Sequence, residues 1–161
     1  IGVVRRESLP TPPKTLTGVA LALCGVGDPG NVGTLLRSAA AFNTEVVVLG
    51  APAADPTSPK AVRAAMGATF FVPTLTLDDP AQAYPEARLV ALDGTGETDI
   101  NDVDFAGPIV IALGAERDGL PHSIRKRADV ICRIPQSDKA ESLNVAAAGA
   151  IVLALSYRSN A

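Results

Sequence analysis

Short continuous apolar runs recur along this chain, each bounded by polar, glycine or proline residues. Residues 19–24 (VALALC) have this form, which predicts a strand buried on both faces of a sheet; 45–49 read as a second buried strand, and 88–92, 109–113 and 130–134 as further strands. A further short strand is expected at 70–72. Between the runs the apolar spacing lengthens to a helical period. Val32, Leu35, Leu36, Ala39 and Phe42 predict a helix over 31–42, for which Asn31 is a good N-cap. Ser58-Pro59 opens a second helix with a cap and a first-turn proline, and Gly67 is expected to end it. Residues 80–85 predict a brief helical turn and 120–127 another helix. The last helix breaks the amphipathic rule. From Val145 to Leu155 there is no charge, so it is apolar nearly all round and is expected to be buried on most sides. A polar loop carrying Ser142 and Asn144 runs straight into it. Strands alternating with helices give an α/β domain with a mostly parallel sheet.

The composition narrows the class. With 161 residues and 47% hydrophobic content, the chain fits one domain with a real core. No apolar run reaches the roughly 18 residues needed to span a bilayer, and residues 1–6 do not read as a signal peptide, so no membrane role is expected. Cys24 and Cys132 lie inside apolar runs. They read as buried free thiols, which points to a reduced, cytoplasmic setting. Two cysteines and one histidine do not suit a zinc site, and no metal is expected. The chain does not open on methionine, and its first 13 residues end in Leu-Pro-Thr-Pro-Pro. Residues 1–15 are therefore expected to be a linker to an N-terminal domain, and 16–161 the folded domain. The net charge of −3 argues against an autonomous nucleic-acid binder.

Gly25-Val26-Gly27-Asp28-Pro29-Gly30 matches a dinucleotide-binding glycine loop and sits between a strand and a helix. The fingerprint also needs an acidic residue at the end of the second strand. That strand ends in Leu49-Gly50, and the next acid is Asp55. A tight turn that tolerates glycine is the better reading.

Three other stretches carry candidate chemistry. The first is DPGNVGTLLRSA, with Asn31 and Arg37; alone, Arg37 would pass for a solvated arginine. The second is LGAERDGL, at the C-terminal end of a buried strand, where open α/β sheets bind ligands. Its Gly114 allows close approach, and Glu116 alone would pass for a helix-start carboxylate. The third joins Ile134-Pro135 to Ser142-Leu143-Asn144, where either polar residue would serve as a simple cap. In this order and spacing the set N-x-G-x-x-x-R, G-x-E-x-x-G-L and I-P-x(6)-S-L-N-V resembles the three motifs of the SpoU (TrmH-type) branch of the SPOUT RNA methyltransferases. The resemblance runs from about Leu16 to Tyr157. Asn43 and Arg117 stand where family members often have glycine.

The resemblance implies a SPOUT-type open sheet with helices on both faces and a deep C-terminal trefoil knot, threaded from about Ile109 onward. It implies S-adenosylmethionine as cofactor, held by Leu92, Asp93, Gly94, Leu113, Gly114, Ile134, Pro135 and Leu143. It implies methyl transfer to a ribose 2′-hydroxyl, with ribosomal RNA preferred and transfer RNA the alternative. Catalysis would fall to Arg37, Asn31, Glu116, Ser142 and Asn144. Arginine is effectively always protonated, so Arg37 is expected to act as a charged donor to the hydroxyl oxygen or a phosphate, not as a base. Asn31, Ser142 and Asn144 would orient the ribose. Glu116 would hold Asn31 or Arg37, or touch substrate. A homodimer is implied, with the last helix near its interface. The basic clusters Arg5-Arg6 and Arg125-Lys126-Arg127 read equally as solvated faces or phosphate contacts, so RNA recognition is expected mainly from the N-terminal domain. Two competing readings are a Rossmann-like nucleotide-binding module and a catalytically idle RNA-binding relative.

Overall fold

The apolar runs pair side by side because a strand apolar on both faces must be covered on both. The computed structural model describes residues 4–139 and 141–160; residues 1–3 of the expected linker lie outside the described residues. The strands are β1 (Val19–Cys24), β2 (Val46–Gly50), β3 (Thr74–Leu77), β4 (Arg88–Leu92), β5 (Thr98–Asp99), β6 (Ile109–Gly114) and β7 (Val130–Arg133). They form one sheet in the order β3-β2-β1-β6-β4-β7-β5, and every pair is parallel.

Strand alternation divides the core in two. Leu21 and Leu23 face one layer with Leu35 and Leu36 of α1 (Pro29–Ala41) and Val152 and Leu153 of α4 (Val145–Asn160). Ala22 and Cys24 face the other, with Ala81, Tyr84 and Ile124 of α3 (His122–Arg127). A fourth helix, α2 (Pro59–Ala65), packs on α1, where a Cβ at Gly33 would strike the Ala61 carbonyl oxygen. The registers pair Cys24 with Gly114, Leu113 with Leu92, and Leu92 with Cys132. The C-terminal ends of β1, β6, β4 and β7 therefore open along one edge.

At the far side of that edge β7 lies between β4 and β5, so the 93–97 loop joining those two strands crosses over the end of β7. The crossing is tight. A Cβ at Gly96 would lie 2.7 Å from the Cys132 carbonyl carbon and 2.9 Å from the Ile131 oxygen. Arg133 Nη1 donates to the Gly96 and Glu97 carbonyls at 2.6 and 2.8 Å.

Three expectations change. Residues 70–72 are not a strand: Ala68–Phe70 form a 3-10 turn, Val72 is buried, and pairing begins after Pro73. The apolar triplet instead plugs the core with one residue and leaves Phe70 and Phe71 exposed. β5 escaped the sequence reading because its two residues are polar. The last helix is also less covered than its composition demands, since Ile151 and Tyr157 are exposed on it. Of the proposed linker, Arg6 Nη2 donates to Thr57 Oγ1 at 3.0 Å and the Pro13 carbonyl accepts from the Tyr84 hydroxyl at 2.8 Å.

Gly96→Ala should destabilise the fold by about 1–3 kcal/mol, because the obstructing atoms are backbone and cannot rotate away. A lowered urea midpoint with unchanged slope is the expected result.

Candidate active site

The strand ends enclose a cleft of about 210 Å³. Leu92, Asp93 and Gly94 come from the end of β4, Leu113 and Gly114 from β6, Ile134 from the end of β7, and Leu143 from the loop before α4. Seven of the eight residues named for a cofactor thus line one cavity; Pro135 does not. Ser142 and Glu116 also line it, as do Ala115, Gly119, Leu120, Gln136, Glu141, Val145 and Ala148. Gly119 and Leu120 carried a signal, because they close the second motif. Gly119 has φ +65° and pairs with Ala115, while a Cβ at Gly114 would collide with its backbone. Two glycines are therefore needed for this turn. Gln136 and Glu141 lie in an irregular polar loop and gave no periodic signal.

Beside the cleft, three residues distant in sequence meet. Asn31 Nδ2 donates to Glu116 Oε1 at 2.7 Å, and Asn144 Nδ2 donates to the same oxygen at 3.0 Å. Asn144 Nδ2 also lies 3.2 Å from Asn31 Oδ1. Asn144 Oδ1 accepts from the amides of Ala146 and Ala147 at 2.9 and 3.3 Å, so Asn144 caps α4 while its amide group reaches Glu116.

The cap of α1 is different from expectation. Asp28, not Asn31, occupies that position, and its Oδ1 accepts from the Asn31 amide at 3.0 Å. A carboxylate with two acceptor oxygens suits a helix N-terminus better than a neutral amide, and it leaves the Asn31 side chain free for Glu116. Lys60 Nζ holds the other oxygen at 2.6 Å. The bond from Lys60 first, then those from Asn31 and Gly30, keep the Asp28 carboxyl below the usual range. This also disposes of the dinucleotide reading. The amides that would cradle a pyrophosphate already serve a carboxylate, which repels a second anion.

Arg37 is exposed on α1 and has no hydrogen bond or ion pair among the described residues. It stands six residues past Asn31, about 9 Å along the helix axis, and does not line the cleft. The chain alone does not bring it to the Asn31–Glu116–Asn144 cluster.

Asp93, at the other wall, is 11% exposed and receives Arg125 Nη1 at 2.7 Å. Burial raises its carboxyl, but the hydrogen bonds from the Thr95 hydroxyl and amide and the charge of Arg125 outweigh this and hold it low. Arg127 grips Asp79 through two bonds of 2.8 and 3.1 Å. Two cations of the Arg125-Lys126-Arg127 run are therefore internal clamps. Both cysteines are free and buried, and burial pushes the Cys24 thiol up to about 12 and that of Cys132 up to about 11, which disfavours the reactive thiolate. Among the described residues no helix is long and apolar enough to cross a membrane.

The SpoU rRNA Methylase family model matches residues 18–154, nearly the whole of the sheet and α4. The chain belongs to this family. A 23S rRNA (uridine(2479)-2′-O)-methyltransferase of Streptomyces viridochromogenes is 34% identical over 135 residues, covering 78% of this chain and 47% of that protein. A tRNA/rRNA methyltransferase of Mycobacterium ulcerans, itself uncharacterised, is 33% identical, covering 91% of this chain and 48% of that protein. The crystal structure of an AdoMet-bound rRNA methyltransferase from Sinorhizobium meliloti superposes with a TM-score of 0.83 at 33% identity, covering 90% of this chain and 57% of that one. The chain thus spans about half the length of the curated relatives it matches.

Asp93 has a folded pKa below its ordinary value of 3.8. Its stabilising contribution is full above that value and is lost as pH falls through the lower folded value. Asp93→Asn should therefore lower the urea midpoint at pH 7, and its deficit against the wild type should shrink towards pH 3. A deficit independent of pH would contradict the charge assignment.

Proposed function

We propose that this chain is the catalytic domain of an S-adenosylmethionine-dependent RNA methyltransferase that modifies a ribose 2′-hydroxyl. One observation carries the reading. Residues from three separate motifs of a SpoU family member meet through Glu116 at the rim of a cleft built from the β4, β6 and β7 ends.

The cleft suits the cofactor. Leu92, Leu113, Leu120, Ile134, Leu143 and Val145 give apolar walls for an adenine ring, and open space over Gly94 admits close backbone approach. Glu141 brings negative charge to a group whose sulfur is positive. S-adenosylmethionine supplies an activated methyl group when bound, so the burden on the protein is to make a weakly acidic hydroxyl reactive and to aim it. Asn31, Ser142 and Asn144 orient the ribose. Arg37 donates to the hydroxyl oxygen or an adjacent phosphate, brought into range by the bound RNA.

Ribosomal RNA is the preferred substrate, supported by the ribosomal RNA methyltransferases among the relatives; transfer RNA is the alternative. The acidic balance supports a division of labour in which residues 1–15 link this domain to an RNA-binding one. The free buried thiols support a cytoplasmic setting. The crossing of the 93–97 loop over β7 supports the family's trefoil knot, with the chain from about Ile109 onward as the threaded part. A homodimer is supported by the exposed apolar side chains Ile151 and Tyr157 on α4; light scattering at micromolar concentration should report twice the chain mass, and a monomer would count against it.

Labelled methyl transfer to unmodified 16S and 23S ribosomal RNA transcripts, with transfer RNA transcripts in parallel, tests the activity in the full-length protein. Arg37→Ala should lower transfer by about 10²–10³-fold, the usual cost of losing a donor to a developing oxyanion. Cofactor affinity measured by calorimetry should not change. Loss of cofactor binding would refute the role given to Arg37.

A further inference from the structure

The reaction leaves one proton without a destination. A ribose hydroxyl must lose its proton as its oxygen is methylated, and Arg37 carries no site to accept one. The single histidine, His122, does not line the cleft. The carboxylates that do are Asp93, Glu116 and Glu141. Asp93 is committed to Arg125 and to both donors of Thr95. Glu141 is exposed and has no hydrogen bond that fixes it among the described residues.

Glu116 differs from both. Its Oε1 is pinned by two side-chain amides, Asn31 at 2.7 Å and Asn144 at 3.0 Å. Its Oε2 has no donor among the described residues. Both pinning groups are neutral, so they fix the carboxylate without neutralising it as an arginine would. One oxygen is thus held still, the other has no donor among the described residues, and the residue lines the cleft. The same two asparagines are the groups proposed to orient the ribose.

We infer, on the methyltransferase reading above, that Glu116 is the proton acceptor of the reaction and not only an anchor for the two asparagines. The 2′-hydroxyl gives its proton to Oε2. Its oxygen gains the methyl group, and the electron pair of the broken carbon–sulfur bond stays on the sulfur, which becomes neutral. The proton then passes to water. Proton transfer to the carboxylate proceeds as the new carbon–oxygen bond forms.

Glu116→Gln separates the two roles. The glutamine keeps an oxygen for both asparagine amides but cannot take a proton. In the full-length protein with 23S ribosomal RNA transcript, Glu116→Gln should lower methyl transfer by about 10²–10⁴-fold, the range for loss of general-base catalysis. Its affinity for S-adenosylmethionine by calorimetry should match the wild type. Glu116→Ala should regain part of its activity with added formate, a small carboxylate, and none with chloride at the same ionic strength. Near-wild-type transfer by Glu116→Gln, or a Glu116→Ala enzyme indifferent to formate, would overturn this inference alone. A wild-type protein that methylates neither ribosomal nor transfer RNA would overturn the underlying reading with it.

Discussion

One carboxylate oxygen ties this site together. Glu116 Oε1 accepts from a residue 85 positions earlier and from another 28 positions later. Those donors begin the two helices that cover one face of the sheet, α1 and α4. The bond to each would be worth little alone, since an exposed hydrogen bond is offset by water. Its effect here is geometric. The N-terminus of α1, the turn after β6 and the loop before α4 are brought to one point, and the parallel registers beneath them fix where that point lies. Gly114 and Gly119 make the arrangement achievable, because the turn carrying Glu116 folds back on itself too closely for a side chain at Gly114.

The start of α1 shows how the work is divided. Helix capping and ligand orientation compete for polar side chains, because both need a fixed donor or acceptor. At α1 the two tasks fall to different residues: Asp28 caps, with Lys60 across from it, and Asn31 is left to face Glu116. At α4 a single residue does both, with the oxygen of Asn144 capping and its nitrogen reaching Glu116. The amide group allows this because its acceptor and donor point apart.

Much of this was legible in the sequence. Continuous apolar runs marked β1, β2 and β6, since burial on both faces leaves no alternation to obscure them, and shorter apolar stretches beside an arginine marked β4 and β7. Ser58-Pro59 marked α2 through its cap. The strand-end residues Leu92, Leu113 and Ile134 followed from the placement of those runs, and they do share a cleft. What stayed hidden had no periodic or local signal. β5 is two polar residues held by its neighbour β7. Asp28 and Asn31 are equally good caps by type, and only the position of Glu116 decides between them. Phe70-Phe71-Val72 has strand composition, but a 3-10 turn lets Val72 enter the core without extending the chain.

The fate of the basic residues explains how an acidic chain belongs to an RNA-modifying family. Arg125 clamps Asp93, Arg127 clamps Asp79, Lys60 holds Asp28, and Arg133 binds the two carbonyls of the crossing loop. These cations are occupied in fixing loops around the strand ends, so they add little long-range attraction for phosphate. Attraction and positioning place opposite demands on a charge. The first needs it free and exposed, and the second needs it paired and still. This domain uses its paired charges for positioning. A polyanion would then be attracted mainly by a surface that is not already committed to holding the domain's own loops.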